Sequence, residues 1–140
     1  MAEPLVSLEM RGAVAWIGLD RAAKRNAISD ILLAELDARV AQAQGSARAI
    51  VVFGHGPCFS AGLDLGEHKA RTAEEVFAHS RGWHAVFRRI RTGRIPALAA
   101  IHGACVGGGL ELATACHIRL ADETAFFALP EGTRGIQRPA

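Results

Sequence analysis

Two stretches of this sequence combine a high density of glycine with a place directly after an apolar run. The first is Phe59-Ser60-Ala61-Gly62-Leu63-Asp64-Leu65, and the second is His102-Gly103-Ala104-Cys105-Val106-Gly107-Gly108-Gly109-Leu110-Glu111. A glycine near a helix start costs about 1 kcal/mol relative to alanine, so a run of them needs a reason. One reason is chemical. Without a Cβ the backbone can approach a ligand closely, and the unpaired N–H groups of a first helical turn point outward as donors suited to an anionic oxygen. Tight turns and close backbone packing use glycine in the same way, and residue type alone leaves both readings open.

Better-known glycine motifs do not fit. The second stretch lacks the G-x-G-x-x-G dinucleotide pattern, because Gly103 is followed by three other residues before Gly107, and it has no Gly-Lys-Ser/Thr of a phosphate loop. Around Ser60 the G-x-S-x-G nucleophile elbow fails because Cys58 stands where the first glycine belongs. Six histidines show no i, i+4 pair, and three cysteines (Cys58, Cys105, Cys116) have no Cys-x-x-Cys spacing, so neither a metal site nor a disulfide framework is expected.

The elements that must position these loops follow from apolar periodicity. Leu5 to Met10, the turn at Arg11-Gly12 and Ala13 to Leu19 predict a β-hairpin, followed by a polar loop over Arg21 to Ala27. Ser29 is a helix N-cap, and Ile31, Leu32, Leu36 and Val40 recur at helical spacing up to Gly45. Ala49 to Phe53 predicts a buried strand ending in Gly54-His55-Gly56-Pro57. A long helix is expected from about Ala73 to Arg91, with Val76, Phe77, Trp83, Phe87 and Ile90 on its apolar face. Ala97 to Ile101 predicts a strand, Gly103 to Gly109 a loop and Leu110 to Cys116 a helix. Ile118 to Ala121 and Thr124 to Leu129 predict two short strands. The class is α/β without the strict alternation of a doubly wound sheet. Val51, Val52, Leu98 to Ile101 and Phe126 to Leu129 are expected to be buried.

Bulk properties limit the functions available. The 140 residues suit one domain, half of them are hydrophobic and 21% are charged, as in ordinary folded chains. A net charge of +2 gives no argument for nucleic acid, and no apolar run reaches the length of a membrane span. The N-terminus has no basic-then-apolar pattern of a secretory signal, and the cysteine usage fits a reducing cytoplasm. Two basic clusters stand out. Arg21, Lys24 and Arg25 fit either a phosphate contact or a solvated loop, while Arg88, Arg89, Arg91 and Arg94 suit the C-terminal end of the long helix.

Four ordered strings resemble the signatures of the crotonase family. They are W-I-G-L-D-R-A-A-K-R-N-A-I-S, I-V-V-F-G-H-G-P-C-F-S-A-G-L-D-L, H-G-A-C-V-G-G-G-L-E-L-A-T-A-C-H-I-R-L-A and F-A-L-P-E-G. The resemblance runs to about Ile136. It implies a crotonase-like ββα spiral and an enzyme that binds an acyl-CoA thioester and stabilises its enolate. The backbone N–H groups of Leu63 and Gly108 would form the oxyanion hole. Lys24, Arg25, Ala61, Leu63, Asp64, Leu65, Gly66 and Gly108 would contact the substrate or its CoA part. Glu111 and Glu131 match the two glutamates that hydratases of this family use on a shared water. Coenzyme A would be part of the substrate, with no further cofactor, and the family implies a homo-trimer or dimer of trimers.

Paired carboxylates suit that chemistry, because hydrating a 2,3-double bond needs one group to take a proton from water and another to deliver one to the α-carbon. Two close carboxylates resist double ionisation, so one retains a proton. Outside this resemblance Glu111 reads as an acid at a helix N-terminus and Glu131 as an exposed loop charge. Enoyl-CoA isomerase, or an inactive CoA-binding remnant, are the alternatives to hydratase. Family chains are nearly twice as long, so residues 1–136 would form the N-terminal part of the spiral. Residues 137–140 would be a divergent tail, the spiral would be incomplete at its C-terminal end, and apolar surface would be exposed.

Overall fold

The computed structural model describes residues 3–69 and 71–130. Its first unit is the expected hairpin, β1 (Val6–Arg11) and β2 (Val14–Leu19), antiparallel in a register that pairs Arg11 with Val14. Gly12 closes the turn at a φ of +60°, the left-handed region that glycine enters without penalty. A 3-10 turn at Ala22–Lys24 leads to α1 (Asp30–Gln44), whose N-cap Ser29 accepts from the Leu32 amide at 3.2 Å.

After α1 the chain returns as β3 (Ala49–Gly54), parallel to β2. A short helix, α2 (Leu65–Lys69), precedes the long α3 (Ala73–Thr92), which starts in a capping box between Thr72 and Glu75. Then come β4 (Ala97–Ile101), β5 (Ala104–Val106), α4 (Gly108–Ala115), β6 (Ile118–Ala121) and β7 (Phe126–Ala128). The main sheet has the order β1-β2-β3-β4-β6, parallel after the hairpin, while β5 and β7 leave it to pair with each other. The architecture is the α/β one expected from sequence. Helix α2 and strand β5 were not: five polar-rich residues and three residues among glycines carry too little periodicity to be seen.

The core lies between one sheet face and the helices. Leu32, Leu36 and Val40 of α1 are fully buried against Ala15, Ile17, Val52 and Ala99, and Trp83, Val86, Phe87 and Ile90 of α3 complete it. Phe77 and Ile31, expected on apolar helix faces, are 64% and 67% exposed. Helix α3 meets the core only from Trp83 onward, and Ile31 lies in the first turn of α1.

Strand alternation corrects the expected burial. Val52, Ala99 and Ile101 are buried, but their neighbours Val51, Leu98 and Ala100 point to the opposite sheet face and are half-buried. Phe126 (52%), Phe127 (50%), Ala128 and Leu129 are exposed, because β7 pairs only with β5 among the described residues. Ile118 and Leu120 of β6 are exposed as well, at 53% and 59%, so the described residues present several large apolar side chains to solvent. The purified 140-residue chain is therefore expected to bind a hydrophobic dye and to self-associate. Replacing Leu120 and Phe127 together by lysine should lower the dye signal; an unchanged signal would place the sticky surface elsewhere.

Candidate active site

The polar loop after β2 and the loop after β3 are tied together by one buried side chain. Asn26 has no exposed surface and a φ of 57°, a left-handed conformation that asparagine tolerates better than most residues. Its Nδ2 donates to the carbonyls of His55 (3.0 Å), Cys58 (2.9 Å) and Phe59 (3.2 Å), and its Oδ1 accepts from the Arg21 amide at 2.8 Å. Ser60, also fully buried, adds the next tie. Its hydroxyl donates to the Asn26 carbonyl (2.8 Å) and accepts from the Gly62 amide (3.0 Å). Both capacities of the hydroxyl are used structurally, so Ser60 is no nucleophile.

The Ser60 backbone also joins the two glycine loops. The Ser60 amide donates to the Ala104 carbonyl at 3.0 Å, and the Ser60 carbonyl accepts from the Val106 amide at 3.1 Å. At this crossing there is no room for side chains. A Cβ on Gly109 would lie 2.6 Å from the Ser60 carbonyl oxygen, and one on Gly62, whose φ is +100°, would lie 2.7 Å from that of Val106. The dense glycines thus serve close packing, and the same packing brings the expected donors together. A Cβ built on Gly108 falls 3.5 Å from the Leu63 nitrogen, and one on Gly62 falls 3.2 Å from the Gly108 nitrogen. Among the described residues no carbonyl or side chain accepts from the Leu63 or the Gly108 amide. Gly108 opens α4, where an unpaired N–H is inherent to the first turn.

A cleft of about 470 Å³ opens beside these loops. Lys24, Arg25, Ala61, Leu63, Asp64 and Leu65 line it, joined by Gly107 and by Phe126 of β7. Six of the residues expected to contact substrate therefore share one cavity, with Gly108 next in sequence to Gly107; Gly66 is not among its lining residues. Asp64 has a further task. It caps α2 through the Glu67 amide (3.2 Å) and pairs with Arg21 at 2.9 Å, and the two hold its carboxyl below the usual range.

Glu111 lies one helical turn past Gly107, to whose carbonyl its amide donates at 3.0 Å. It is half-buried, does not line the cleft, and its Oε2 accepts from the Trp83 indole N–H at 3.0 Å. Glu131, like residues 137–140, lies outside the described residues. The free cysteines are all buried. Burial raises the Cys58 thiol and pushes Cys105 and Cys116 up to about 11 and about 12, so they are inert thiols near neutral pH. Asn26, Ser60 and Trp83 carry no site signature in the sequence. Trp83 falls on the apolar face of its helix, and the one signal for it is that a buried indole needs a partner for its N–H.

Over residues 9–140 the sequence matches the family described as enoyl-CoA hydratase/isomerase. It is 44% identical over 115 residues to a Bacillus subtilis (strain 168) protein named "Probable enoyl-CoA hydratase", covering 79% of this chain and 44% of that one. It is 37% identical over 145 residues to the enoyl-CoA isomerase/hydratase fer4 of Mycosarcoma maydis, covering 96% of this chain and 53% of that one. The crystal structure of an enoyl-CoA hydratase from Thermoplasma volcanium GSS1 superposes with a TM-score of 0.92 at 35% identity, over 96% of this chain and 54% of that one. The chain spans about half the length of these relatives.

The Asn26 ties carry a direct test. Asn26→Ala leaves three carbonyls and one amide without their partner and loses a residue suited to positive φ. A loss of about 3 kcal/mol is expected in urea unfolding. Stability within 0.5 kcal/mol, roughly the range of a neutral surface change, would show that water replaces the carboxamide.

Proposed function

The chain belongs to the enoyl-CoA hydratase/isomerase family, and on that premise we propose that it binds a 2,3-enoyl-CoA and adds water across its double bond. One observation supports this best: two backbone amides without acceptors among the described residues, Leu63 and Gly108, stand side by side at the edge of a cleft, and Gly108 lies one turn before the Glu111 carboxylate on α4. On this reading both amides donate to the thioester oxygen. Conjugate addition at C3 moves electron density onto that oxygen, and preorganised donors of this kind lower a barrier by a few kcal/mol each. Glu111 and Glu131 share the water: one takes its proton as oxygen bonds to C3, and the other delivers a proton to C2, giving the 3-hydroxyacyl-CoA. Lys24 and Arg25, at the cleft, offer positive charge to the phosphates of the CoA part.

Coenzyme A enters only as part of the substrate in this mechanism. The three free cysteines fit a cytoplasmic setting, and the family resemblance points to a homo-trimer or dimer of trimers. No helix among the described residues is long and apolar enough to cross a membrane.

Glu111→Gln and Glu131→Gln are each expected to slow hydration of crotonyl-CoA by roughly 100-fold or more. Affinity for saturated butyryl-CoA should stay within about twofold, since neither change removes a backbone donor. A severe loss from Glu131→Gln with a mild one from Glu111→Gln would favour isomerase, in which one carboxylate moves the proton. Butyryl-CoA binding without any turnover would identify an inactive CoA-binding form, and two harmless substitutions would refute the two-carboxylate mechanism.

A further inference from the structure

Trp83 stands between the two parts of the proposed machinery and touches both. Its indole Nε1–H donates to Glu111 Oε2 at 3.0 Å. The benzo edge of the same ring lies against Gly108, so that a Cβ there would be 2.5 Å from Cζ2 and 2.7 Å from Cη2. The ring itself has little freedom. It is 6% exposed, with Phe87 edge-on at a centroid distance of 5.2 Å and the His79 ring at 5.3 Å on its own helix.

His79 is anchored in turn. Its Nδ1 lies 2.6 Å from Asp30 Oδ1, and Asp30 receives two bonds from Arg71, at 2.8 and 3.0 Å. Burial works against the ionised form of Asp30, but the bonds from Arg71 and His79 outweigh it and hold its carboxyl low. Arg71 also reaches Glu67, so this anchor spans α1, α2 and α3. A large planar side chain held on several sides transmits position well, because moving it means moving packed neighbours.

We propose that Trp83 is a positioning residue: one rigid indole holds the Glu111 carboxylate by its N–H and backs Gly108 by its edge, keeping the acid–base group and the oxyanion donor in one mutual geometry. This rests on the function proposed above. It assigns Trp83 no contact with substrate. Effective acid–base catalysis requires the carboxylate within hydrogen-bond reach of the proton it moves, and a freely rotating glutamate meets that condition only part of the time.

Trp83→Phe keeps an aromatic ring at the position and removes the N–H. The expected result is a roughly 10-fold lower kcat for crotonyl-CoA hydration, the scale of one lost hydrogen bond to a charged group. KM and butyryl-CoA affinity should change by less than about twofold, a split that general loosening would not produce. Added to Glu111→Gln, the change should cost less than it does alone, because the share of its effect that runs through that carboxylate is already lost. A second readout needs neither turnover nor a folded Trp83 variant: in the otherwise unaltered chain, Glu111→Ala should move the Trp83 indole N–H resonance upfield and leave that of Trp16 in place.

A wild-type kcat in Trp83→Phe, a fully additive loss in the double variant, or an indole resonance indifferent to Glu111→Ala would each overturn the proposal. If Glu111→Gln cripples hydration while Trp83→Phe does not, positioning alone fails and the hydratase reading survives. If Glu111→Gln is itself harmless, both fall.

Discussion

Three carbonyl groups of one loop converge on the carboxamide of Asn26, which itself has no exposed surface. Buried carbonyls without donors are costly, so this side chain dictates how the loop after β3 sits on the loop after β2. From there the order propagates by adjacency. Ser60 hangs from the Asn26 carbonyl and Gly62 from the Ser60 hydroxyl, while Val106 and Ala104 are latched to the Ser60 backbone. The start of α4 is thereby fixed against the loop carrying Leu63. Fully connected polar networks of this kind specify one arrangement more sharply than apolar contact does.

The glycines serve that network rather than flexibility. Gly62, Gly108 and Gly109 face a carbonyl, an indole edge and the Ser60 backbone at distances that exclude a methyl group. The donors of the proposed mechanism, two neighbouring amides without acceptors among the described residues, are a by-product of how tightly the loops cross. Each amide lacks an acceptor among the described residues for a local reason: Gly108 heads a helix, and Leu63 lies between two residues that make the bridge to Ile28. Backbone donors also resist side-chain substitution, so the thioester-binding and proton-moving parts of the proposed mechanism can be separated experimentally.

The apolar residues left in contact with solvent follow from sheet order. Among the described residues β6 forms one edge of the main sheet and β7 has a single partner, and Ile118, Leu120, Phe126 and Phe127 are exposed there. Phe126 nevertheless lines the cleft beside Lys24 and Leu63. Whatever packs against β7 therefore also shapes one wall of the candidate site.

Local pattern determined much of this molecule. Period-two and period-3.6 runs located the hairpin, α1, β3, α3 and β4, because a half-buried strand or helix repeats its apolar face in sequence. Resemblance to the motifs of a known family implied Leu63, Lys24, Arg25 and Asp64 as substrate contacts, and those four line one cleft. What the chain could not announce was decided by contacts distant in sequence. Trp83 and Glu111 are 28 residues apart, Asn26 and Phe59 are 33 apart, and no periodicity encodes such a bond. Nor could alternation say which strand faces would lack a layer: Val51, Phe126 and Phe127 read as core because they are apolar. How far each is covered, Val51 by half and the two phenylalanines less, depends on what else packs there, and only the tertiary structure decides that.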